Sequence, residues 1–125
     1  MNNETGTTEQ EPEALYGKVI GIVSDRSKMK TMNESFTSIG VDHVEILDGA
    51  IGIQRLESWK ESVSQYFFGD MEDEMLSRYL EAVASGLIVF AAAVPSEAAN
   101  KAAELAKMQG ASEVTHFGNS VITNY

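Results

Sequence analysis

Short apolar runs and longer amphipathic stretches alternate along the chain, and each change of period marks a predicted element. Apolar or alternating runs predict strands at residues 18–23, 41–47, 87–94 and 112–118, and residues 119–125 continue the last strand after a bend at Gly118. Apolar positions three and four residues apart predict amphipathic helices. Capping residues and glycines set the limits of these helices, at about residues 25–39, 54–68, 70–85 and 95–109.

The order of these elements is strand, helix, strand, helix pair, strand, helix, strand, which predicts an α+β protein. Two β-α-β units with right-handed crossovers indicate a ferredoxin-like, four-stranded sheet. A helical pair, at about residues 51–85, replaces the usual hairpin between the two units. A doubly wound parallel sheet is the alternative, although four strands are few for it.

The first and third predicted strands are apolar on both faces, so the second face of the sheet needs a cover. The inserted helices or a partner chain could supply it. The two helices carry apolar stripes made by Leu56, Trp59, Val63 and Phe67 and by Met71, Met75, Tyr79 and Val83. We expect these stripes to pack over the sheet within one chain. A pocket left beneath them would be lined by Phe67, Met71, Met75 and Tyr79, our candidate ligand-binding residues.

Composition and charge limit the classes of function. A chain of 125 residues with 43% apolar and 22% charged residues is typical of one soluble globular domain. We predict a disordered acidic tail at residues 1–15 and a domain at residues 16–125. The net charge of −10 argues against nucleic-acid partners and anionic membranes. There is no cysteine, and no signal peptide is expected, so we expect a cytoplasmic protein without a cofactor.

An acidic cluster at Asp70, Glu72, Asp73 and Glu74 is the most conspicuous candidate for a site. At the start of a helix, however, unpaired N–H groups and the helix dipole favour negative charge without any ligand. Four neighbours in one turn also splay apart, whereas a divalent ion needs convergent oxygens. We interpret the cluster as a helix junction and predict no metal site.

The two histidines, His43 and His116, are the candidates for acid–base chemistry. A four-stranded sheet of order 4-1-3-2 places them on opposite edges, about 14 Å apart, which is too far to share a metal ion. The chain has no nucleophile elbow and no phosphate loop. No residue is therefore assigned a catalytic role, and a general base at either histidine is the least favoured hypothesis.

The segment at residues 72–118 resembles the second half of the general stress protein family, also called heat-induced stress protein domains. The similarity lies in a helix with Tyr79 that ends at Gly86, an apolar strand at residues 87–94, and an Ala-rich helix that ends at Gly110-Ala111. Residues 17–47 are similar to the opening strand-helix-strand unit of that family. The resemblance implies the α+β fold and a link to stress, and it supplies no active site. The segment at residues 56–70 departs from the Gly- and Ala-rich middle of the family.

Three functions remain open. The first is a non-catalytic module in stress adaptation that binds an unknown protein partner or forms a weak homodimer. The second is a small-molecule sensor with a pocket between the sheet and the inserted helices. The third is an enzyme with His43 or His116 as general base, for which a histidine buried in a cleft is required.

Overall fold

A computed structural model describes residues 14–63, 70–118 and 121–125, which form five strands and four α-helices. The strands are β1 (Lys18–Val23), β2 (His43–Leu47), β3 (Ile88–Ala93), β4 (Ser112–Phe117) and β5 (Ile122–Asn124). The helices are α1 (Ser27–Ser38), α2 (Gly49–Val63), α3 (Asp70–Ala84) and α4 (Ala99–Met108), the last preceded by a single 3-10 turn, Ser96–Ala98. The predicted α+β class is confirmed.

The strands form one sheet in the order β2-β3-β1-β4-β5, and every neighbouring pair is antiparallel. The parallel alternative is therefore wrong. The prediction of four strands is also wrong, because residues 122–124 turn back and pair with β4 instead of continuing it. Gly118 makes this reversal by donating its N–H to the carbonyl oxygen of Val121 at 3.0 Å. A Cβ on Gly118 would lie 2.7 Å from that oxygen, so a larger residue does not fit the turn.

Two boundaries differ from the prediction for local reasons. Strand β2 begins at His43 because Val41 closes α1 by donating its N–H to the carbonyl oxygen of Phe36 at 2.9 Å, with Gly40 at a positive φ of 84°. Helix α2 begins at Gly49, well before the predicted start near Gln54. Its early turn contains Gly52, which packs against the backbone of Leu47. Glycine has low helix propensity, so the pattern indicated a turn where the structure has a helix.

Helices cover both faces of the sheet. On one face, α1 and α4 enclose a core that includes Val19, Phe36 and Phe90. On the other face, α2 and α3 pack over Ile20 and Val89. The predicted packing of the helical pair over the sheet within one chain is confirmed, and the pair consists of α2 and α3.

The start of the domain lies slightly before the predicted boundary. Leu15, assigned to the tail, is only 5% exposed and belongs to the core beneath α2 and α3. Gly17 then ties this segment to the sheet, since its N–H donates to the carbonyl oxygen of Phe117 at 2.7 Å. The rest of the predicted tail, residues 1–13, lies outside the described residues. Within the described ranges, no helix has both the length and the apolar character needed to cross a membrane.

Candidate functional site

The four candidate ligand-binding residues lie in different environments. Phe67 is outside the described residues. Met75 and Tyr79 are buried in the core, at 7% and 0% exposure, whereas Met71 is 50% exposed. Met71 and Met75 border a groove of about 220 Å³ between α3 and the β4–β5 edge, and Tyr79 is not among the residues that line it. The structure therefore does not bring the three described residues together around one pocket.

Tyr79 has a structural role in the core. Its hydroxyl donates a hydrogen bond to the carbonyl oxygen of Glu113 at 2.7 Å and lies 3.2 Å from the carbonyl oxygen of Ile20. Burial raises the pKa of this phenol well above its usual value. A neutral, hydrogen-bonded phenol fixes α3 against the sheet and is not available to a ligand.

A more polar cavity of about 230 Å³ lies between α2 and the sheet strands near the β2 edge. We call it the edge cavity. It is lined by Lys18, His43, Val44, Glu45, Arg55, Ala91 and Ala93.

Strand register brings the lining of the edge cavity together. Ala93 on β3 is directly opposite His43 on β2 and Lys18 on β1, so these three residues share one row on one face of the sheet. In the next row on that face, Glu45 is opposite Ala91. Because alanine projects only a methyl group, the row keeps open space between the long polar side chains.

Helix α2 folds back over β2 and places Arg55 above this row. The Arg55 Nε and Nη2 atoms both lie 2.8 Å from Oε2 of Glu45. The two side chains are 32% and 28% exposed, so this ion pair is partly shielded from water. A charged pair with this geometry fixes the guanidinium plane more firmly than a solvent-exposed pair does.

Lys18 supplies a second cation at the inner end of the edge cavity. Its side chain is almost entirely buried, at 2% exposure for the residue. The ammonium donates a hydrogen bond to the carbonyl oxygen of Ala14 at 2.5 Å and lies 5.9 Å from the centroid of the Trp59 ring. Trp59 thus adds a cation–π contact and connects the cavity to the core under α2.

The two histidines are on opposite faces of the sheet. His43 is exposed at the edge cavity, whereas His116 is opposite Val19 and therefore on the face covered by α1 and α4. The expectation that both lie on edge strands is wrong for His116, because β5 pairs with the outer side of β4. Partial burial lowers the pKa of His116. Neither histidine is buried in a cleft, so the general-base hypothesis gains no support from the geometry.

Glu72, Asp73 and Glu74 of the acidic cluster make contacts in three different directions. Glu72 accepts a hydrogen bond from the hydroxyl of Tyr16 at 3.1 Å, and Asp73 pairs with Lys60 at 3.1 Å. Glu74 instead points along its own helix to Arg78, at 3.6 Å. Among the described residues, no three acidic or histidine side chains are grouped so that they could hold a metal ion.

Sequence reasoning missed most of the edge cavity. A signal was present in β2, where His43 and Glu45 are two residues apart and so project from the same face. Arg55, in contrast, could be added only once α2 was known to begin at Gly49 and to pass back over that strand.

Comparisons of the chain with protein-family models, with curated proteins and with solved structures found no match.

Proposed function

We propose that the protein is a non-catalytic module that binds a small molecule in the edge cavity. The observation that carries this proposal is the convergence of Lys18, His43, Glu45 and Arg55 above a floor of two alanines. Binding sites combine an apolar surface with a few placed polar groups, and this cavity has both. Its volume of about 230 Å³ is below the range of drug-sized pockets, which favours a small ligand.

This proposal is the sensor hypothesis with a different pocket. The predicted pocket was apolar and lay centrally under the helical pair, where the structure has a packed core that includes Leu56, Trp59 and Tyr79. The edge cavity is polar and lies beside that core. Its roof is the same inserted helix, α2.

The sheet supports a ferredoxin-like assignment, which we also propose. Strands β1 to β4 have the order 2-3-1-4 with antiparallel neighbours, and helices α1 and α4, which cross between strands, lie on the same face. In this assignment α2 and α3 are an insertion between the two β-α-β units, and β5 is an addition at the edge. The insertion is then the element that creates the edge cavity.

Binding to a protein partner, weak self-association and a role in stress adaptation remain a separate hypothesis. Its structural motivation was a sheet face that needed a cover, and the chain's own helices α2 and α3 now provide one. No contact among the described residues favours a particular partner. For this reason the small-molecule proposal is preferred.

A fragment screen by two-dimensional ¹H–¹⁵N NMR tests the proposal. The panel holds small carboxylates, amines, amides, sugars and inorganic phosphate, each added to the full-length chain. We expect at least one class to shift the amide signals of residues 43–45, 55 and 91–93 in a saturable way.

A cavity-filling variant makes the test specific. Ala93→Val adds two methyl groups to the floor and should abolish those shifts, whereas Thr123→Val, a β-branched replacement on β5 outside the cavity, should preserve them. If no compound class perturbs the cavity amides, or if binding survives Ala93→Val in the folded protein, the edge cavity is not the binding site.

A further inference from the structure

We propose that the ligand of the edge cavity is a small monocarboxylate, held by the outer edge of the Arg55 guanidinium. This inference rests on the proposed binding function and specifies the class of its ligand. Three features of the cavity support this ligand class: the unused donors of Arg55, the charged groups of the lining and the shape of the floor.

Arg55 has donors left after it binds Glu45. A guanidinium carries five N–H groups in a planar fork, and one edge of the fork matches a carboxylate in a bidentate manner. Glu45 takes the Nε/Nη2 edge through a single oxygen, Oε2. Nη1 has no hydrogen-bond partner among the described residues, and Nη2 keeps a second N–H besides the one that faces Glu45. A carboxylate can therefore bind Arg55 without displacing Glu45.

The charge balance favours a monoanion. Two cations, Lys18 and Arg55, line the cavity together with one carboxylate, Glu45. A phosphate dianion would place its second charge beside Glu45, where repulsion in a partly shielded site is costly.

The cavity floor selects against large ligands. Ala91 and Ala93 present methyl groups rather than hydrogen-bonding groups. An aliphatic tail of a few carbons can lie on this surface while its carboxylate meets Arg55. Glu45 acts here as a positioning residue, because its ion pair fixes the plane of the guanidinium.

The decisive experiment compares isosteric probes on the wild-type chain at constant ionic strength. Propionate and butyrate are titrated against propionamide and inorganic phosphate, and the shifts of the amides of residues 43–45, 55 and 91–93 are measured. We expect saturable binding of both carboxylates, and at least tenfold weaker binding of propionamide and of phosphate. This comparison needs no variant and so does not depend on the folding of one.

Two variants of Arg55, and a control variant on the same helix, then test the role of Arg55. Arg55→Gln should weaken propionate binding at least tenfold, and Arg55→Lys, which keeps the charge but lacks the fork, should also weaken it. Lys60→Gln removes one positive charge from α2 at the ion pair with Asp73, outside the cavity, and should leave propionate binding within twofold of wild type.

The outcomes separate this inference from the proposed function. If amides, sugars or amines shift the cavity signals and carboxylates do not, the cavity binds a ligand but the carboxylate inference is wrong. Tighter binding of phosphate than of propionate would equally overturn it, as would propionate binding that persists in Arg55→Gln. If none of the probes shifts these signals, the proposed function itself fails.

Discussion

The hydroxyl of Tyr79 on α3 donates a hydrogen bond to the carbonyl oxygen of Glu113 on β4, 2.7 Å away. Glu113 is the one non-glycine residue among those described with a positive φ, 51°, and it lies where the pairing of β4 with β1 shifts register. A β-bulge of this kind stores strain and leaves backbone groups without ladder partners. From the core side, the Tyr79 hydroxyl supplies a hydrogen bond to the backbone carbonyl of the bulge. On the outer side, Arg78 pairs with the Glu113 carboxylate at 3.2 Å.

Tyr79→Phe should destabilise the fold by about 1–3 kcal/mol, because it leaves a shielded carbonyl oxygen without its hydrogen bond. Urea denaturation followed by circular dichroism measures the change. Tyr125→Phe is the matched control, since the Tyr125 hydroxyl bonds to Asn100 at an exposed site, and it should cost less than about 0.5 kcal/mol. Equal effects of the two variants would show that the bulge does not depend on Tyr79.

Changing Glu72 and Glu74 together to Gln should cost about 1 kcal/mol or less, because the helix-dipole contribution of exposed acids is small. The amide of Gln can still accept the hydrogen bond from Tyr16, and the Glu74–Arg78 pair is exposed. Denaturant melts measure the loss. Calorimetry with calcium, magnesium and manganese is the accompanying control: micromolar binding that disappears in the double variant would contradict the structural role of the cluster.

The free energy of unfolding should depend on pH through His116. Burial holds its pKa below the ordinary value of 6.5, so the unfolded chain binds a proton more readily than the folded one. The contribution of His116 to the free energy of unfolding is therefore complete above about pH 6.5. It should decrease as the pH falls from there towards the lowered pKa. Between pH 7.5 and 5, wild type should lose stability relative to His116→Gln as the pH falls, and denaturant melts of both proteins measure this change. A constant difference across this range would mean that His116 titrates normally in the fold.

The hydrophobic pattern was sufficient to predict the core but not the edges of the sheet. The bounds of β1 and the stripe of Leu56, Trp59 and Val63 follow from local periodicity, and the structure buries all three of these side chains. Strand β5 has only three residues in a polar segment and is formed by backbone pairing with β4, for which apolar periodicity gives no signal.

The edge cavity was less predictable for a related reason. Its row of His43, Ala93 and Lys18 depends on the register of three strands that are distant in the chain. A pattern along one strand shows which residues share a face, but not which residue of another strand lies opposite. Lys18 before an apolar strand also resembles an ordinary exposed boundary residue, whereas the structure buries it under Trp59.

The most demanding test of the packing concerns Trp59. This side chain is 4% exposed and lies in the core that joins α2 and α3 to the sheet. Its truncation removes a large apolar surface and leaves a cavity that the neighbouring helices can fill only in part. Trp59→Ala should therefore destabilise the isolated chain by about 3–5 kcal/mol, as expected for a buried aromatic residue.

Denaturant melts combined with sedimentation velocity decide where that stabilisation arises. Because the contacts are within one chain, we expect the same large loss at all protein concentrations and no change in the state of association. Ile51→Ala is a suitable control on the same helix, since Ile51 is 77% exposed and should change the free energy of unfolding by no more than about 0.5 kcal/mol. A wild-type dimer that becomes a stable, folded monomer on Trp59→Ala would show instead that the helical pair is an interface between subunits.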